Sequence, residues 1–267
     1  AYADAALWLA ALVTAGGLIT FFTTREPGRI QSRRPGAIAE LIAVPTNPVF
    51  RPLLLAFMTA YAGVAINSAL ALFYYEDRLA FEPEQTNIVL GTFLVVWTSS
   101  IPLWVILSRR FGKRRPAFYG LLLLGLMTTF TYPFFPERVL WPPLVAAVAG
   151  GIFVGSIILF DSIITDIVDY DEWKSGIQKE GLFFGYAKMG VKLSRAMALL
   201  LTGLLLEWIG QGEERNNVAL GWLFGPGVGL FFLVGAGIFL LYPMSDRQSQ
   251  AVQKRLKRRR NETERAA

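Results

Sequence analysis

The sequence predicts an all-α integral membrane protein, a bundle of about seven transmembrane helices, and three observations carry that prediction. Hydrophobic residues make up 54% of the 267 positions, more than a soluble core of this size calls for. Apolar runs recur at 5–24, 52–75, 86–107, 116–135, 141–164, 181–208 and 218–242, each about long enough to cross a hydrocarbon layer roughly 30 Å thick. Of the 26 Lys and Arg residues, nearly all those between the runs fall in alternate connections and the tail. Only Arg78, Arg138 and Arg215 lie on the other side.

The first run, 5–24, starts without an initiating Met, a charged leader or a cleavage site, so it reads as a span entered in mid-protein rather than a signal peptide. The connection 25–51 follows, with Pro27, Pro35, Pro45 and Pro48 and a short apolar helix around 37–44. It reads as a linker between two halves. Six spans then make a bundle over 52–243, and a basic tail occupies 244–267. Because positive loops stay cytoplasmic, the chain is expected to lie in an inner or plasma membrane with its N-terminus outside and its C-terminus inside.

A net charge of +6 raises the question of nucleic acid. Its position answers: the tail reads as a topology determinant touching anionic lipid, so membrane lipids and not nucleic acid are the expected partners. The outer connections are short and acidic (Glu76, Asp77, Glu82, Glu84, Glu213, Glu214), as a solvated rim would be. His and Cys are absent, which removes thiol nucleophiles, His general bases and His or Cys metal sites.

The stretch from Asp161 to Arg195 puts ionisable groups inside two spans. A charge at hydrocarbon depth costs several kcal/mol and marks a solute or ion pathway. Lys188, Lys192 and Arg195 follow i, i+4, i+7 spacing and share one helix face. Counted from residue 181, Lys192 lies roughly 17 Å into the membrane. Asp161 falls at a depth similar to Lys188, so the two are expected to pair. Asp166, Asp169, Asp171 and Glu172 lie near the inner mouth, a gate or a solvated run, with Lys174, Lys179 and Arg195 as possible counter-charges.

Other breaks in the apolar pattern are Tyr61, Asn67 and Ser68, then Trp97-Thr98-Ser99-Ser100. Hydroxyls of a solute could bond there and a sugar ring could stack on Trp97; hydrogen bonding between helices explains the same residues. Gly151 and Gly155, and Gly221, Gly225 and Gly229, space small residues four apart, which lets helices approach closely. Pro102 and Pro226 fall inside spans, where each is expected to kink its helix.

The run Asp166-Ile-Val-Asp169-Tyr-Asp-Glu172-Trp-Lys174, followed by Glu180-Gly-Leu-Phe-Phe-Gly-Tyr186 and Lys192, closely resembles the glycoside, pentoside and hexuronide cation symporters. This is the melibiose-permease-like branch of the major facilitator superfamily. The resemblance implies twelve spans in two six-helix halves, with this chain as the last span of the first half, the central loop and the whole C-terminal half. It implies cation-coupled symport of a sugar-like solute by alternating access, without catalysis. Lys192 would serve substrate and coupling, with Lys188, Asp161, Tyr186, Asn67 and Trp97 as further candidates. Asp166, Asp169, Glu172, Glu180 and Arg195 would belong to a cytoplasmic gate. No cofactor is implied beyond a coupling Na+ or H+, whose carboxylate ligands the resemblance assigns to the other half.

Arg110-Phe-Gly112-Lys113-Arg114-Arg115 is similar to the end of the superfamily's loop motif, in which an acid pairs with basic residues to latch neighbouring helices. Arg109 stands in the acidic place. Lys188 and Asp161 depart from the sugar-transporting pattern and point toward an anionic sugar or another polar or lysolipid-like anion. A stand-alone seven-span receptor also fits the span count; a retinal protein would need a lysine in the last span, which has none. A membrane enzyme would need a nucleophile, base and orienting group together, and the acids crowd one turn instead.

Overall fold

The computed structural model describes residues 2–23, 37–210 and 216–266. The linker segment 25–36, with Pro27 and Pro35, and the Glu213–Arg215 part of the outer rim lie outside them. The chain divides into two compact units, Ala1–Pro35 and Gly36–Ala267. The first holds one helix, α1 (Tyr2–Thr23), at the place of the expected first span; its apolar part, Ala10–Thr23, is shorter than the six long apolar helices of the second unit.

The second unit carries six helices long and apolar enough to cross a membrane, the six expected after the linker. A short α2 (Ala37–Thr46) leads in, as expected around 37–44. Asn47 then starts α3 (Phe50–Phe73), because its side-chain oxygen accepts the N–H groups of Val49 at 2.9 Å and Phe50 at 3.3 Å. These would otherwise be orphan donors. A π-helical turn, Tyr74–Arg78, extends α3. α4 (Pro83–Phe111) opens on Pro83 and a capping box between Glu82 and Gln85, and stops at Gly112, whose φ of 82° suits glycine. α5 (Arg114–Thr131) follows after one residue.

The fourth crossing is Trp141–Ser175. It is built as α6 (Trp141–Val154), a tightened turn at Gly155–Ile157, and α7 (Ile158–Ser175). The sequence placed the end of this span at 164 and a charged turn beyond it. The helix instead continues through Asp166–Lys174 and is closed by Gly176 in the left-handed region, because packing holds that segment, as described below. α8 (Glu180–Trp208) is followed by α9 (Asn217–Trp222), a π-helical turn Leu223–Gly227 around Pro226, and α10 (Val228–Leu240). The tail forms α11 (Asp246–Ala266).

α3 is the centre, packed most extensively against α10 and α8; α10 also packs on α5, and α4 on α6. The small-residue series explains two of these approaches. A Cβ on Gly151 would come within 2.9 Å of the Phe93 carbonyl and 3.0 Å of the Trp97 amide on α4, and one on Gly229 would meet Thr129 and the Gly125 backbone on α5. Phe50, Phe57, Phe160, Phe183 and Phe239 fill the core. At the far end, Tyr74 stacks on Phe224 with centroids 4.2 Å apart and donates its hydroxyl to the Tyr132 carbonyl at 2.6 Å. Leu193, Met197, Leu200, Leu204 and Trp208 on α8 are exposed, an apolar surface suited to lipid or to another helical bundle.

Candidate functional site

α8 buries Phe183, Ala187, Gly190, Val191, Ser194, Ala198 and Thr202. This is a helical stripe, and it faces α3. Gly190 permits the approach: a Cβ there would sit 3.1 Å from both Leu54 and Met58. The Ser194 hydroxyl donates to the Met58 carbonyl. With that face fixed, Lys188, Lys192 and Arg195 fall one step round the helix, at the edge of the α3–α8 contact.

The Lys188 ammonium lies 2.8 Å from Asp161 Oδ1 on α7, the pair the sequence anticipated. It also lies 6.0 Å from the centre of the Phe57 ring. The Arg195 guanidinium sits 5.2 Å from the Tyr61 ring centre. Phe57 and Tyr61, one turn apart on α3, are themselves 4.7 Å apart, and Phe57 stacks on Phe160 of α7. The three helices thus meet in a two-ring aromatic platform carrying a cation over each ring, with a single carboxylate beside one of them.

Lys192, one turn from each of its basic neighbours, is exposed and has no ion pair among the described residues. Twelve residues into α8, it stands about 18 Å from that helix's start. The Lys188–Asp161 pair is open rather than enclosed, with 56% of the lysine side chain and 28% of the aspartate accessible. Tyr186 is half-buried against the core.

Two expected members stand apart. Trp97 packs beside Phe93, centroids 6.0 Å apart, along the α4–α6 contact. Asn67 is six residues beyond Tyr61 on α3, about 240° round the helix, whereas Ser68 shares Tyr61's face and donates to the Val64 carbonyl. Arg195, which the resemblance would place at the gate, lies fifteen residues into α8 with its guanidinium over the Tyr61 ring.

Those acids find other partners. Asp166, nearly buried, accepts from the Lys113 ammonium at 2.6 Å and from the Gln253 amide at 3.0 Å. Lys113 also donates to the Ser162 carbonyl. Asp246, at the start of α11, accepts the backbone N–H of Lys113 at 2.8 Å and of Arg114 at 3.3 Å, at the positive end of α5. A Cβ on Gly112 would collide with Asp246. Asp171 pairs with Lys179 at 3.0 Å and takes a long contact from Asn47 at 3.4 Å; Glu172 accepts from Gln178. Asp169 is half-buried and Glu180 exposed at the start of α8. A crevice of about 330 Å³ opens between Asn47–Val49 and Tyr170–Ser175.

The loop motif lacks its local acid, as the sequence showed, yet Asp166 and Asp246 bring the negative charge from α7 and α11. The tail, read from sequence as a topology determinant touching lipid, also packs on the bundle. Val252 and Leu256, at i and i+4, are buried, α11 packs on α7, and Arg255 lies 5.5 Å from the Trp173 ring. Sequence reading missed Lys113, Asp246 and Gln253 as site residues. The signal available was the apolar pair Val252 and Leu256 inside an otherwise polar helix.

The second unit is thus an all-helical bundle with six helices apolar enough to cross a membrane, cations and one acid on an open face, and a cluster of ion pairs at one end. Residues 1–246 match the family described as MFS/sugar transport protein. The chain belongs to that family and is a multi-pass membrane protein. It is 28% identical over 226 residues to the sphingosine-1-phosphate transporter MFSD2B of Mus musculus, covering 80% of this chain and 44% of that one. It is 26% identical over 256 residues to the sodium-dependent lysophosphatidylcholine symporter 1 of Homo sapiens (89% and 45%), and 23% identical over 187 residues to the isoprimeverose transporter of Lactiplantibacillus pentosus (63% and 36%). The chain spans less than half the length of these relatives.

Proposed function

We propose that this chain contributes the C-terminal half of a secondary transporter that moves a polar organic solute in symport with Na+ or H+. The half lines a central site with Lys192, Arg195 and the Lys188–Asp161 pair, and a second six-helix half completes it. The observation that carries the reading is Lys192: a lysine about halfway along a spanning helix, exposed on the bundle's face and without a carboxylate among the described residues. A lysine at that depth belongs at a wet, solute-sized space, and transporters of this architecture place their solute near the bilayer midplane between two bundles. The carbohydrate and lysolipid relatives agree on transport and differ on cargo.

In this reading the basic end of the bundle is cytoplasmic and its ion pairs form a gate. Lys113–Asp166 and Lys179–Asp171 hold the α4–α5 turn, α7 and the start of α8 together, and they rearrange when the site opens inward. The test is gradient-driven uptake by the full-length protein in proteoliposomes. Lys192→Ala should abolish coupled uptake while the protein still inserts and purifies; uptake at the unaltered rate removes the assignment.

A further inference from the structure

We infer that the turn Gly155–Ile157 is a hinge in the fourth crossing, clasped by Ser100 and Trp104 of α4, about which α7 swings as a single lever carrying the site's carboxylate and the gate's together. This rests on the gate reading given above and names the part that moves.

Three observations meet at this turn. The helical ladder is broken there: the Gly155 N–H goes to the Phe153 carbonyl and the Ile158 N–H to those of Gly155 and Ser156, so neither reaches back the four residues of an α-helix. Donors from α4 enter at the same place. The Trp104 indole N–H donates to the Ile152 carbonyl at 2.6 Å, and the Ser100 hydroxyl lies 3.2 Å from the Gly151 carbonyl, which Gly155 has left. Side chains inserted into a ladder in this way bend a helix. Two glycines keep the room for them: a Cβ on Gly155 would run into Ser100 and Trp104, and one on Gly120 of α5 would run into Ser156 and Trp104.

The third observation is Ser156. It is fully buried, and its hydroxyl has no hydrogen-bond partner among the described residues. Burial puts that hydroxyl out of reach of anything outside the bundle, so its partner has to come from a rearrangement within it. The Ile152 carbonyl stands four residues earlier, where a serine inside a helix back-bonds. That one carbonyl therefore has two donors competing for it. With Trp104 engaged the helix is bent at the turn; with Ser156 engaged the ladder runs straight through. One hydrogen bond is exchanged for another, which keeps the two arrangements close in free energy.

What the hinge moves follows from the packing. α6 lies along α4, whereas α4 meets α7 only sparsely, so the piece before the turn is held and the piece after it is the mobile one. α7 is unbroken from Ile158 to Ser175. It carries Asp161, paired with Lys188 beside the aromatic platform, and Asp166 and Asp171, paired with Lys113 and Lys179 at the inner end. A swing that shifts the first carboxylate shifts the other two, and the central cluster and the gate are coupled through one helix.

The experiment uses the full-length protein, with any cysteine outside this chain replaced by serine; these 267 residues contain none. Nitroxide labels go on Arg109→Cys at the inner end of α4 and Ser175→Cys at the inner end of α7, both exposed, and pulsed electron paramagnetic resonance reads the distance between them. Both labels sit in one bundle, so rocking of two bundles leaves the distance alone and only bending within this bundle changes it. Trp104→Phe keeps a ring and removes the donor, and should raise the weight of long distances over short by roughly two- to ten-fold, as loss of one hydrogen bond does. Ser156→Ala removes the competing donor and should shift the weight the opposite way. If Trp104→Phe does not insert, Ser100→Ala opens the clasp from its other arm, with the same expected direction.

Opposite shifts uphold the hinge, because general loosening of a core moves both variants alike. A distribution that neither variant moves, or that both move in one direction, overturns it. Gradient-driven uptake is read separately: opposite shifts in a protein that transports nothing keep the hinge and remove the transport reading, and uptake with unmoved distances does the reverse.

Discussion

Two ion pairs that look alike in the sequence differ at the residue scale. Lys188–Asp161 is open, more than half of the lysine side chain being accessible, so water moderates the pair and its stability contribution is small. Its effect should appear in function: Asp161→Asn and Lys188→Met should each lower uptake on the order of ten-fold if the pair sets the site's charge. The double change should then be no worse than the worse single one, and a double variant poorer than both would sink the pairing. Lys113–Asp166 is more enclosed, with the aspartate buried, and is shared with Gln253. Asp166→Ala should lower stability by about 1–3 kcal/mol, because it leaves a half-buried ammonium without its carboxylate. Thermal unfolding of purified protein in detergent measures the loss.

Among the elements, two helical glycines give opposed expectations, and the tail helix gives a graded one. Gly151→Ala pushes a methyl against the α4 backbone, which cannot step aside, and should cost about 1–3 kcal/mol. Gly203→Ala, with nothing within 4 Å of its Cβ, should be neutral or gain up to about 1 kcal/mol in helix propensity. The melting temperatures of the two variants should therefore move apart. For α11, Asp246→Ala removes the acceptor at the start of α5 and should cost about 1 kcal/mol. Truncation at residue 245 should cost more, since Val252 and Leu256 leave the surface of α7. A truncation just after Leu256 should leave the melting temperature within a degree or two of the unaltered protein's; a drop as large as that from removing the whole helix would show that docking extends beyond Leu256.

For the whole molecule, the chain spans less than half the length of its relatives, and in the proposed reading it supplies one of two bundles. Alternating access is rocking of one bundle against another about a shared site, so the 267-residue chain alone is expected to insert in a bilayer yet show no gradient-driven uptake. Uptake by this chain alone, measured in proteoliposomes, would mean that the site is completed by a second copy.

Apolar runs and charge alternation were enough to place the six long helices, because a bilayer rewards each span separately and leaves its mark locally in the chain. The stripe of Lys188, Lys192 and Arg195 was legible for the same reason: i, i+4, i+7 spacing is a property of one helix. What lies between helices was not. That Arg195 rests on Tyr61, and that Asp166 reaches Lys113 and Gln253, depend on how the helices rotate against one another. Side chains from distant stretches fix those rotations, among them Gly190, which lets Leu54 and Met58 approach, and Gly151, which admits α4. The chain alone settled what crosses the membrane and where buried charge must be answered; only the packed bundle decided which group answers it.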